Sequence, residues 1–194
     1  MKRVFSWKTA VVLSFGVLLS ILTGIFVASE SESLLPVGSV APDFSATLST
    51  GEEFRLRDYS GKKIVVLFFY PKDFTSGCTA QVCSFRDNYD DILHHEAMVV
   101  GVSYDTEETH QTFVEKHRLP FPLISDKDMS ISRMYGTADR LGGLISGAKR
   151  ATYVIDKEGI IRRVLHHEIL IQKHVEGVLE SLGEIEKGIG LKSR

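Results

Sequence analysis

With 194 residues the chain is about one domain plus a short appendage, since domains usually run to about 100–200 residues, and a multidomain machine is excluded. Hydrophobic residues at 43% and charged residues at 25% lie near the averages for soluble globular proteins, which excludes both a disordered polypeptide and one wholly embedded in lipid. Lys and Arg number 23 against 25 Asp and Glu, a formal net charge of −2, so nothing in the overall charge would hold nucleic acid.

Residues 9–28, TAVVLSFGVLLSILTGIFVA, carry no charge. A helix there would be about 30 Å long, the thickness of a bilayer's hydrocarbon core. The segment reads as one N-terminal transmembrane helix, an uncleaved anchor within residues 1–29. A cleaved secretory signal is the alternative, with Val27 and Ser29 as the small-residue positions of its cleavage site. Lys2, Arg3 and Lys8 before the span, and Glu30 and Glu32 after it, predict a cytoplasmic amino end and a domain on the extracytoplasmic side. Residues 30–36 are small and polar, then Pro-bounded, and read as a tether. One compact domain is expected over residues 37–194, without repeats or low complexity.

Within the domain, the apolar run IVVLFF at residues 64–69 suits a strand buried on both faces, with Gly61 before it and Pro71 after. Val82, Phe85, Tyr89, Ile92 and Leu93 then recur at helical spacing, predicting one helix over about residues 78–94 with Thr75 or Ser76 as N-cap. A second strand is expected at 98–103, a helix from Thr106 to Arg118, and a third strand at 122–124. Residues 152–155 and 160–165 flank the turn Asp156 to Gly159 as an antiparallel hairpin, and Val175, Val178, Leu179, Leu182 and Ile185 form one face of a last helix. The order predicts an α/β layered domain with a mixed sheet flanked by helices.

Cys78 and Cys83 are the only cysteines, and both follow the central strand. Backbone N–H groups and the dipole at a helix's first turn favour an anion, so a thiolate at Cys78 would be stabilised there. Two isolated cysteines filling core space is the bland reading, but Thr75, Ser76 and Gly77 leave Cys78 open to a small substrate. Four residues separate the pair, whereas a thioredoxin-type dithiol or a zinc knuckle wants two. On an intact helix such positions lie roughly 8.6 Å apart at Cα, beyond the reach of a disulfide. Joining them requires the helix to unwind, which suggests two conformations.

The segment YPKDFTSGCTAQVCSFRD, residues 70–87, resembles the active site of the peroxiredoxins, with Pro71, Thr75 and Cys78 matching the family's Pro-x-x-x-Thr-x-x-Cys pattern. The cysteine spacing, followed by Phe85, Arg86 and Asp87, resembles the atypical two-cysteine branch called PrxQ or bacterioferritin comigratory protein. The likeness continues through VGSVAPDF (37–44), KHRLPFPLISD (116–126), Tyr135 with Gly136, and RATYVID (150–156). Ser76 departs from the Pro of many members, and the membrane segment departs from mostly soluble relatives.

The resemblance implies a thioredoxin-like fold and a thiol-dependent peroxidase acting on hydrogen peroxide and organic hydroperoxides. It implies Cys78 as peroxidatic nucleophile, Thr75 as orienter of the peroxide, Arg150 as stabiliser of thiolate and departing oxygen, and Pro71, Gly77 and Tyr70 about the substrate pocket. Cys83 is implied as the resolving residue, closing a Cys78–Cys83 disulfide that thioredoxin or a similar dithiol reduces. A monomer needing no cofactor or metal is expected. The doublets His94/His95 and His166/His167 point different ways on a helix or strand and complete no ligand set. Two other functions compete. One is a membrane-anchored copper chaperone on a thioredoxin-like fold; the other is a protein thiol-disulfide oxidoreductase.

Overall fold

A computed structural model describes residues 33–138 and 147–188 of the chain. The expected span at residues 9–28 lies outside them, and among the described residues no helix is long and apolar enough to cross a membrane. The described chain opens with a small hairpin of β1 (Ser45–Thr47) and β2 (Glu53–Arg55), then a 3-10 turn at Leu56–Tyr59. The main body follows as β3 (Ile64–Phe69), α1 (Ser76–Asp87), α2 (Tyr89–His94), β4 (Ala97–Ser103), α3 (Glu107–His117), β5 (Leu123–Ser125), α4 (Ser130–Met134), β6 (Ala151–Ile155), β7 (Ile161–His166) and α5 (Gln172–Glu186).

The five-stranded sheet has the order β5-β4-β3-β6-β7, with β3, β4 and β5 parallel and β6 and β7 antiparallel to their neighbours. β3 is therefore central, and all six of its residues are buried. Successive side chains on a strand point to opposite faces. Val65, Leu67 and Phe69 accordingly join Phe54, Tyr135 and Tyr153 on one side. Ile64, Val66 and Phe68 join Val82 and Phe85 of α1, Phe113 of α3 and Val178 of α5 on the other. Each such side chain contributes roughly 1.5–3 kcal/mol of apolar burial, which fixes the strand beneath the helix that carries both cysteines. The architecture is the thioredoxin-like α/β arrangement, a mixed sheet between helical layers.

One expectation is corrected, and two features are added. The helix expected over 78–94 begins earlier, at Ser76, and breaks at Asn88 into α1 and α2. Asn88 leaves helical geometry at φ −114° and ψ 15°, and its side-chain amide donates to the Ser84 carbonyl at 2.9 Å, so the local bond replaces the helical one. The β1–β2 hairpin and α4 were not expected. β1, β2 and α4 are three to five residues long and carry no continuous apolar run, so no period marks them in the sequence.

Candidate active site

Beyond Phe69 the chain crosses the end of the sheet and turns into α1. Thr75 is the N-cap in extended geometry, φ −80° and ψ 150°, and its carbonyl accepts from the Thr79 N–H at 2.9 Å. Its hydroxyl does not cap the helix but donates to the Lys72 carbonyl at 3.1 Å. The hydroxyl oxygen keeps its lone pairs free to accept another proton donor. Backbone N–H groups of the first turn have no acceptor within a helix, so Ser76, Gly77 and Cys78 lie where anions are stabilised. Cys78 is 1% exposed.

Pairing of Phe69 with Ala151 brings the end of β3 against the start of β6, and Arg150 immediately precedes β6. The buried guanidinium reaches across to α1. Arg150 Nη2 donates to Cys78 Sγ at 3.5 Å and Nη1 donates to Gln81 Oε1 at 2.5 Å. Gln81 follows Cys78 by three residues and so shares its helix face. Gln81 Nε2 and Arg150 Nε are buried donors with no acceptor among the described residues. A Cβ on Gly77 would stand 3.3 Å from Arg150 Nη2, so glycine leaves that approach open. Gly147, at φ +74°, lets the incoming segment lie on the loop, because a Cβ there would be 2.7 Å from both the Pro71 carbonyl oxygen and the Tyr104 ring. Pro71 is thereby held at the rim, half-buried.

Tyr70 is placed otherwise than expected. It is fully buried behind the loop, in the same core cluster as Cys78, and presents no surface at the rim. Its hydroxyl donates to Asp73 Oδ1 at 2.7 Å, while His110 Nδ1 lies 2.7 Å from Asp73 Oδ2. His110 Nε2 is 3.1 Å from the Ile124 carbonyl, which only accepts, so this nitrogen is the donor. Nδ1 is thereby turned toward Oδ2, closing a fully buried imidazole–carboxyl pair. Asp73 N–H also donates to Asp105 Oδ2 at 2.8 Å, which accepts Ser103 Oγ–H at 2.7 Å. The cluster clamps the loop around Phe74, whose φ of +60° is strained for a bulky residue.

Cys78 and Cys83 are both free thiols on the same unbroken helix, Cys83 half-buried with its Sγ 4.0 Å from His117 Nδ1. The structure thus brings together Cys78, Arg150 and the first turn with Thr75 and Gly77, places Pro71 at the rim, and removes Tyr70 from it. Gln81 and His117 were missed. Gln81 could have been found as the polar residue one turn beyond the nucleophile; His117 gave no signal because its partner lies on another helix. The doublet histidines His95 and His166 pair with Glu186 and Glu168 at 2.8 and 3.2 Å. Among the described residues no group of three or more His, Cys, Asp or Glu could hold a metal ion. An apolar cavity lined by Val40, Leu56, Tyr59, Val65 and Ile155 contains none of these site residues.

The arrangement is a buried sulfur at a helix N-terminus beside a pinned cation, which suits attack by a thiolate and stabilisation of a leaving oxygen. Comparison with known proteins agrees. Residues 37–164 match the family model described as the AhpC/TSA family. The chain is 40% identical over 151 residues to a putative peroxiredoxin bcp of Coxiella burnetii, covering 76% of this chain and 99% of the relative. It is 38% identical over 149 residues to a chloroplastic peroxiredoxin Q of Sedum lineare, covering 77% and 78% respectively. Among solved structures, the peroxidoxin BcpB of Mycobacterium tuberculosis superposes with a TM-score of 0.73 at 32% identity, over 78% of this chain and 98% of that one.

Proposed function

The chain belongs to the AhpC/TSA family, in its peroxiredoxin Q/Bcp branch, and from that premise we propose how its residues divide the work of a thioredoxin-dependent peroxidase. The relatives establish the activity, peroxide as substrate and a thioredoxin-type reductant, and they do not favour the copper-chaperone or protein-oxidoreductase readings. Cys78 is the nucleophile. Its thiolate sulfur attacks one peroxide oxygen, the S–O bond forms as the O–O bond breaks, and the other oxygen leaves as hydroxide or alkoxide and takes a proton. The observation that carries this reading is the Arg150 Nη2 contact to Cys78 Sγ at 3.5 Å, with the other arm of the guanidinium fixed on Gln81. The cation stands where negative charge shifts from sulfur to oxygen. Thr75, its own proton given to Lys72, accepts the peroxide O–H and orients it.

The product is a Cys78 sulfenic acid, and Cys83 is the resolving thiol that condenses with it. Both lie on α1, five positions apart, so the helix unwinds locally before the sulfurs meet. Because both thiols come from one chain, the cycle needs no second copy and the enzyme works as a monomer. The test is peroxide consumption by the full chain with a thioredoxin system. Cys78→Ser is expected to be inert, and Cys83→Ser to accumulate sulfenic acid or a higher oxide after one turnover. A Cys78→Ser variant that still turns over peroxide would refute the assignment.

Residues 9–28 anchor the enzyme to a membrane, supported by 20 uncharged positions, by Lys2, Arg3 and Lys8 before them and by Glu30 and Glu32 just after. The domain then works on the extracytoplasmic side, where a dedicated dithiol must keep the pair reduced. Full-length protein is expected in the membrane fraction after an alkaline wash and residues 30–194 in the supernatant. A mature chain that begins after residue 29 would instead identify a cleaved signal.

A further inference from the structure

The Cys83 thiol is enclosed by a second set of groups that the first half-reaction does not use. His117, the last residue of α3, places Nδ1 4.0 Å from Cys83 Sγ. Its ring is held edge-on by Phe113 at 4.8 Å and flanked by Phe74 at 6.5 Å. Arg86, three residues beyond Cys83 on α1, donates from Nη1 to the His117 carbonyl at 2.8 Å and ties the two helices together. The Arg86 charge is favoured first by Asp87, and also by the Cys83 sulfur. The groups facing the imidazole are therefore Cys83 and Arg86 from α1, Asp73 and Phe74 from the loop, and Lys116 and Phe113 from α3 itself. Burial first, then Lys116 and Arg86, hold the imidazole below the ordinary histidine range, with Asp73 opposing. Near pH 7 the ring is neutral and has one nitrogen lone pair to offer.

We propose that His117 is the general base of the resolving step, its Nδ1 taking the Cys83 proton as that sulfur attacks the Cys78 sulfenic acid. The inference rests on Cys83 being the resolving thiol. In the step, the Cys83–Cys78 S–S bond forms while the S–O bond of the sulfenic acid breaks. The Cys83 sulfur is oxidised and the Cys78 sulfur is reduced. Hydroxide leaves and the imidazolium returns the proton to it, so the balance is one disulfide and one water. Arg86 steadies the negative sulfur in transit. A neighbouring base takes the thiol proton as the S–S bond forms, so the sulfur need not ionise beforehand.

The test follows one turnover. Reduced full-length chain in detergent is mixed with one equivalent of hydrogen peroxide, quenched with a thiol-blocking reagent, and its sulfenic acid and disulfide are counted by mass spectrometry. The series runs from about pH 5.5 to about 9.5, bracketing an ordinary imidazole and an ordinary thiol. In His117→Gln, disulfide formation is expected to slow about 10- to 100-fold at pH 7 and to regain the parent rate above about pH 9, where solvent ionises the thiol unaided. The rate of Cys78 oxidation in the same traces reports whether the fold is intact. A deficit of equal size at every pH, or none, overturns the proposal. The parent gives an independent reading. Its resolving rate is expected to be flat above neutrality and to fall as His117 protonates, whereas a tenfold rise per pH unit up to about 8.5 would show bare thiolate attack and overturn it. Cys83→Ser separates the two claims. If it accumulates no sulfenic acid, the resolving assignment itself fails; if it does and His117→Gln behaves like the parent, only the base is lost.

Discussion

Arg150 is a buried cation whose two terminal nitrogens are committed to different partners, Cys78 and Gln81, on one face of α1. A lysine has the charge but not the fork. Arg150→Lys should therefore slow Cys78 oxidation by about 10²- to 10³-fold, the loss typical of one fixed donor to a developing charge, while disulfide closure afterwards runs at the parent rate. Rapid-quench trapping of the two steps measures both. Cys78 and Cys83 were legible because cysteine is scarce and its chemistry is narrow. Arg150 was legible only through the likeness of RATYVID to known relatives, since nothing local distinguishes it from its neighbour Lys149. Tyr70 was misjudged for a physical reason. It abuts the reactive loop in sequence, but its ring is sealed in the core cluster with Phe68, 5.6 Å away, and its hydroxyl is taken by Asp73.

The loop between β3 and α1 depends on a carboxylate for its shape. Asp73 accepts from Tyr70, pairs with His110 Nδ1 at 2.7 Å and donates its N–H to Asp105, all in buried surroundings. Asp73→Ala takes the nearest partner from both the Tyr70 hydroxyl and His110 Nδ1, leaving them the longer 3.5 Å contact with each other, and is expected to cost about 3 kcal/mol in urea unfolding. Asp73→Asn should cost about 1 kcal/mol or less, because its amide oxygen can accept from Tyr70 and its NH2 can donate to a neutral His110. Equal losses for the two variants would show that the charge, not the pattern of donors and acceptors, holds the loop. The clamp was not legible in advance, because its members come from β4, α3 and the connecting loops, and nothing in the local spacing joins residues 73, 105 and 110. β3 itself was legible to the residue, since a six-residue apolar run bounded by turn formers leaves little choice. The break after α1 was not: the apolar spacing runs on through Asn88, and only the amide's bond to Ser84 reveals the interruption.

Across the molecule, β6, β7's exit and α5 are joined through one buried imidazole. His174 Nε2 donates to the His167 carbonyl at 2.9 Å, which leaves Nδ1 to accept from the Thr152 hydroxyl at 2.8 Å. Burial chiefly pushes His174 down to about 4. Between an unfolded value near about 6.5 and that folded value, the unfolded chain binds the extra proton, so stability is full above about pH 6.5 and is lost as pH falls through the interval. The contribution is on the order of 3 kcal/mol. Urea midpoints measured from pH 7 to pH 4 should fall for the parent, and fall less for His174→Gln, which starts lower but has no proton to gain. A layered α/β fold with a mixed sheet was legible from element order alone, because parallel strands joined by helices and a closing hairpin leave few arrangements. Pairing β6 beside β3 was not, and it is this pairing that completes the site.

The hydrogen bond from Arg150 to Cys78 spans 72 positions of the chain. During synthesis at roughly 5–20 residues per second, the sulfur leaves the ribosome about 4–14 s before its cation. β6, which must dock against an open edge of β3, comes later still. A nascent chain thus carries the thiol without the means to use it, and peroxidase chemistry switches on only when the second half of the domain has been made and has closed on the first.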